Sequence, residues 1–77
     1  LEKPFIQVGI FSIEDNARRT AELLRRNGVV PTILAQRSQG KRFWRVVIGP
    51  AMTASDRAAI LRKVRELGFT DAYFVTD

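Results

Sequence analysis

Gln7, Phe43 and Arg45 are the side chains of this 77-residue chain best suited to chemistry, and that chemistry is recognition. An amide both donates and accepts hydrogen bonds. A guanidinium presents a positive fork of N–H groups, and a phenyl ring presents a flat apolar surface. Such a set suits a sugar ligand, with hydroxyls, acetamides and carboxylates for the polar groups and a ring face for the aromatic. Catalysis has little to work with. The chain has no histidine and no cysteine, so the commonest general base, thiol nucleophiles, disulfides and thiolate metal sites are excluded together. Glu14 and Asp15 sit at a helix start, Asp56 occupies the same place in a second helix, Asp71 begins a strand and Asp77 ends the chain. No two of them are spaced to flank a cleft. There is no metal-ligand cluster, Gly-rich phosphate loop or nucleophile elbow. The chain is therefore expected not to be an enzyme and to need no cofactor and no metal.

The elements that must position these residues follow from the apolar pattern. Residues 5–11 (Phe-Ile-Gln-Val-Gly-Ile-Phe) form a first β-rich run. Ser12, with Asp15 three residues on, resembles a helix start with an acidic first turn. Ala17, Ala21 and Leu24, with Thr20 and Leu23 beside them, recur at helical spacing, and Asn27-Gly28 stops that helix. Residues 30–36 form a second strand, which Pro31 assigns to a sheet edge. Residues 37–41 form a polar hairpin loop, and residues 42–48 a third strand ended by Gly49-Pro50. Thr53 and Ser55 are candidate caps of a second helix whose inner face is Ala58, Leu61, Val64 and Leu67, with Ile60 beside them. Gly68 closes it, and residues 71–75 form a fourth strand. The order βαββαβ predicts an α+β, ferredoxin-like or RNP-like split βαβ fold. Its four-stranded antiparallel sheet has the first and third strands in the centre, two helices on one face and the other face bare.

Alternation then assigns faces. Trp44, Val46 and Ile48 point to the helices, with Ile6 and Val8. Phe43, Arg45 and Val47 point to the bare face, with Phe5, Gln7 and Gly9. Gln7 and Arg45 become neighbours in mid-sheet, with an aromatic ring beside them, and Gly9 lets a ligand approach the backbone. A mid-strand Gln has poor β-propensity, which implies a role beyond the strand itself. Simple alternation would bury Ile10 and expose Phe11. A bulge at Gly9 would reverse them, and the pattern favours the bulge.

The net charge of +5, with ten arginines among thirteen basic residues, favours an anionic partner: nucleic acid, membrane surface or a carboxylate-bearing polysaccharide. No stretch approaches the roughly 20 apolar residues of a membrane-spanning helix, and no signal peptide is visible. The chain opens at Leu1 without Met. It reads as one domain, with its core at about 5–75, cut from a larger anchored or exported protein. Two other functions share this fold. An RNA-binding module would stack bases on central-strand aromatics, but Val47 stands where a second ring is needed. A dimerisation or protein-interaction module would use the bare face or the second-strand edge, against which the nearby Lys and Arg argue.

The opening run at 5–11 resembles the first strand of SPOR domains, which reads aromatic-apolar-Gln-Val-Gly-small-Phe. Arg-Val-Val-Ile-Gly-Pro at 45–50 resembles their third-strand signature, Arg-Val-x-Val-Gly-Pro. The helix lengths, the Gly after each helix and the closing Ala-Tyr-Phe-Val at 72–75 match as well, so the resemblance covers nearly the whole chain. It implies a non-catalytic module that binds peptidoglycan glycan strands (GlcNAc-MurNAc) denuded of stem peptides. It also implies that the parent protein is bacterial and acts in the periplasm at the division septum, with no nucleic acid partner. By the resemblance, Gln7, Gly9, Ile10, Phe43, Arg45 and Tyr73 border the glycan. Gln7 and Arg45 match the family's strand Gln and Arg, Phe43 a contacting aromatic, and Tyr73 a fourth-strand side chain. Ile10 departs from the pattern, in which Ser or Ala is usual.

Overall fold

The computed structural model describes residues 3–51 and 53–76, so Asp77 lies outside the described residues. Its elements are β1 (Phe5–Phe11), α1 (Glu14–Arg26), β2 (Pro31–Ser38), β3 (Lys41–Ile48), α2 (Ala54–Glu66) and β4 (Tyr73–Val75). They form one antiparallel sheet in the order β2-β3-β1-β4, with β1 and β3 central and β2 at an edge. This is the expected α+β split βαβ arrangement.

Both helices lie on one face because each carries a single apolar stripe. Ala17, Thr20, Ala21 and Leu24 of α1 are buried, as are Leu61 and Val64 of α2. Opposite them stand Ile6 and Val8 of β1 and Val46 and Ile48 of β3. Ile6, Leu24, Val46 and Val64 are the largest fully buried side chains and define the core's centre. Trp44 is half-buried and packs against this core, as its parity requires. Ala58 does not belong to the inner face of α2; it is exposed, and Leu23 of α1 is exposed too. One step round from Ala58, Arg57 takes the inward position. Its guanidinium carbon lies 4.4 Å from the centroid of the Phe74 ring, and its Nη1 donates to the Lys3 carbonyl at 2.7 Å. A long cation can cover an aromatic face with its stem and head, which a methyl cannot.

The ends of the elements differ from the sequence reading in three places. Ser12 does not cap α1: Ile13 holds the cap position without a side-chain bond, and its carbonyl accepts from the Asn16 N–H at 3.1 Å. Glu14 and Asp15 supply the negative charge that the first turn favours. In α2 the cap is Thr53, whose hydroxyl accepts from the Asp56 N–H at 3.0 Å. The hairpin loop is shorter than the polar stretch 37–41. Ser38 pairs with Lys41, and Gln39 (φ 53°) and Gly40 (φ 78°) make the turn. Positive φ at both residues gives a two-residue turn whose twist matches the strands, so polar residues continue the ladder to the tip. Finally, β4 begins at Tyr73, because the Ala72 N–H is used in a turn to the Phe69 carbonyl at 3.1 Å.

Beyond Gln7, β1 changes phase. Gln7 pairs with Val47, but Gly9 pairs with Val46, so two residues of β1 stand against one of β3. This is a β-bulge. Past it, Ile10 lies opposite Arg45 and Phe11 opposite Trp44. Ile10 is accordingly 57% exposed, while Phe11 packs against the core. The bulge also corrects the placement of Gly9. It stands across from Val46, on the helix side, not on the bare face. A Cβ at Gly9 would lie 3.0 Å from Phe11 Cε2, so the missing side chain is the space in which the Phe11 ring sits.

Candidate functional site

The face away from the helices is built from short cross-strand rows. One row runs Thr32, Val47, Gln7, Tyr73 across β2, β3, β1 and β4. A second runs Leu34, Arg45, Ile10, and a third holds Gln36 and Phe43. Arg45 is therefore diagonal to Gln7 on one side, and Tyr73 is directly beside it on the other. Side chains in these relations are within reach of each other when they are long.

The three meet. Arg45 Nε donates to Gln7 Oε1 at 2.8 Å, and Gln7 Nε2 donates to the Tyr73 hydroxyl at 2.7 Å. Gln7 is only 5% exposed, Arg45 is half-buried and Tyr73 is 51% exposed. The amide is thus the floor of the cluster and its two partners are the surface. A buried amide left unbonded would cost about 1–3 kcal/mol, and these two bonds explain why a residue of poor β-propensity sits in a central strand.

Of the six sequence-predicted residues, four gather here: Gln7, Arg45, Tyr73 and, across from Arg45, Ile10. Phe43 shares the face and is half-buried, but it lies four residues along β3 from Val47, about 13 Å at strand spacing. The ring beside Gln7 is therefore Tyr73, and Phe43 borders Arg45 from the far side. Gly9 is under the sheet, as described. Leu34 was not anticipated on this face; the pairing of β2 with β3 places it next to Arg45, and its odd distance from Pro31 in the strand was the available signal.

A groove of about 480 Å³ opens from the Gln7–Tyr73 end of the face. Val8, Gly9, Ile10 and Phe11 of β1 line one side, and Gly68, Phe69, Thr70 and Asp71 the other. It exists because β4 pairs only with Phe5, Ile6 and Gln7, so the far half of β1 has no strand beside it there. Among the described residues no group of three or more His, Cys, Asp or Glu side chains could hold a metal ion, and no helix is long and apolar enough to cross a membrane.

An RNP-like sheet with helices on one face, and a bonded amide–guanidinium–phenol cluster on the other, is the frame of a ligand-binding module. The SPOR domain family model matches residues 2–76, and the chain belongs to that family. SPOR domains are peptidoglycan-binding, non-catalytic modules of bacterial cell-division proteins that act at the septum. No curated protein and no solved structure matches the chain.

Proposed function

We propose that the open face holds peptidoglycan glycan strands from which the stem peptides have been removed, and so brings its parent protein to the division septum on the periplasmic side. The observation that carries this reading is the placement of Arg45 and Tyr73 at the surface of one cluster, over Gln7. Removing a stem peptide by amide hydrolysis leaves a free lactyl carboxylate on each N-acetylmuramic acid. Arg45 supplies a cation and fixed N–H geometry for that anion. A stem peptide would both remove the anion and block approach to the open sheet face. Ile10 and Phe43 border Arg45 as apolar surfaces for sugar rings, and the basic balance of the chain, +5, favours an anionic polymer at longer range.

The test is retention of the domain on purified sacculi before and after amidase treatment. Wild-type retention should rise with treatment. Arg45→Ala should weaken binding roughly 10- to 100-fold, the range for losing a charge-assisted hydrogen bond. Equal binding by Arg45→Ala would dismiss this face as the site. Absence of binding to either preparation would dismiss the glycan reading, and salt-dependent RNA binding would then be measured.

A further inference from the structure

The two bonds of Gln7 fix where the protons are. A guanidinium has donors and no acceptor. The amide atom that receives Arg45 Nε at 2.8 Å must therefore be the oxygen. An Asn or Gln amide is ordinarily ambiguous between its two ends, but here the arginine removes the ambiguity. The other end is then the NH₂ group, and its 2.7 Å contact with Tyr73 is a bond in which the amide donates and the phenol accepts. A phenol carries one proton. That proton is not in the bond to Gln7, so it points away from the buried amide, on a side chain that is 51% exposed.

From this we infer that Gln7 is a positioning residue: it does not touch the ligand but sets the proton polarity of the two side chains that do. Gln7 is 5% exposed, and its oxygen and one amide N–H are committed to those two side chains. Through its oxygen it holds the Arg45 guanidinium without adding a counter-charge, because the amide is neutral. Through its N–H it obliges Tyr73 to be a donor on the ligand side. The pair thus presents a cation and an O–H to the same ligand. That combination favours a carboxylate, whose two charged oxygens accept from both donors, over a neutral amide, whose single carbonyl oxygen accepts without the charge assistance. This inference rests on the glycan reading for its ligand, the lactyl carboxylate, but the proton arrangement stands on the geometry alone.

A glutamate at position 7 has nearly the same shape and the opposite consequences. It would accept from Arg45 Nε and also from the Tyr73 hydroxyl, drawing the phenolic proton inward and opposing the arginine charge. Gln7→Glu should therefore fold, with an unchanged near-ultraviolet dichroism spectrum, yet bind amidase-treated sacculi at least about tenfold more weakly than wild type. Tyr73→Phe should weaken wild-type binding, and should cost little more when added to Gln7→Glu, where the hydroxyl is already turned away. A folded Gln7→Glu that binds as wild type overturns the proposal. The arrangement is also read without any glycan. In the ligand-free protein, one Gln7 side-chain N–H should exchange slowly with solvent by NMR, and that protection should disappear in Tyr73→Phe. Rapid exchange of both protons in the wild type would overturn the polarity assignment even if sacculi binding were found, and would do so even if Gln7→Glu failed to fold. Slow exchange together with no sacculi binding would refute the ligand and the reading it rests on, and leave the proton assignment standing.

Discussion

Gly9→Ala adds one carbon at the phase change of β1, 3.0 Å from Phe11 Cε2 and 3.1 Å from its Cζ. Carbon atoms pack comfortably at about 3.5–4.0 Å. The ring, or the strand, must give way by roughly half an ångström to reach that spacing. Phe11 cannot swing freely, because it packs against the core and pairs with Trp44. Overpacking of this kind costs about 1–3 kcal/mol. Against it stands the gain of about 0.4–1 kcal/mol that Gly→Ala brings by restricting the unfolded chain, where the native backbone tolerates a side chain. A net loss of about 1–2 kcal/mol is expected. In urea, with a slope of about 1 kcal/mol/M for so small a domain, the midpoint should fall by about 1–2 M. The cause is isolated by a double-mutant cycle. Phe11→Leu removes the ring, so Gly9→Ala should cost clearly less in that background, with a coupling of about 0.5–1 kcal/mol. Gly9→Ala as stable as wild type, or an equal penalty with Leu at position 11, would refute the claim that the glycine is the seat of the Phe11 ring. Sacculi binding per folded molecule should be unchanged, since Gly9 faces the helices.

Two further outcomes test the helices. Thr53→Ala removes the acceptor for the Asp56 N–H and should destabilise by about 1 kcal/mol in thermal or denaturant unfolding, whereas Ser12→Ala, at a position that makes no cap bond, should stay within about 0.5 kcal/mol of wild type. Leu24→Ala empties the fully buried centre under the sheet and should cost about 2–5 kcal/mol, enough to leave much of so small a domain unfolded at 37 °C.

The fold was legible because the apolar residues carry two clean periods. Ile6, Val8, Val46 and Ile48 alternate, Ala17, Ala21, Leu24, Leu61 and Val64 recur at helical spacing, and glycine follows each helix. Pro31 correctly marked the β2 edge. What the pattern left unread was local competition for backbone groups. Ile13 holds the cap of α1 with no side-chain bond, so no capping residue type marked that position. Asp71 and Ala72 looked like strand, but a turn at Phe69–Ala72 uses the donor that a strand would need. At the site, alternation brought Gln7 and Arg45 together, yet it could not say that Gln7 would lie at 5% exposure beneath its partners. Nor could it separate Gly9 from the open face, because that depends on which strand carries the extra residue.

The outer edge of β2 acquires a meaning when many copies share one polymer. Modules held along a repeating chain meet at local concentrations far above those in dilute solution. An eight-residue edge strand would then be an invitation to join sheet to sheet. Pro31 withholds a donor at one end of that edge, and Arg37, paired across the hairpin with Arg42, puts like charges at the other. Each copy also brings a net charge of +5, and at physiological salt that repulsion acts only within about 8 Å. On the proposed glycan strand, neighbouring copies are therefore expected to crowd to nearly touching distance without joining sheet to sheet.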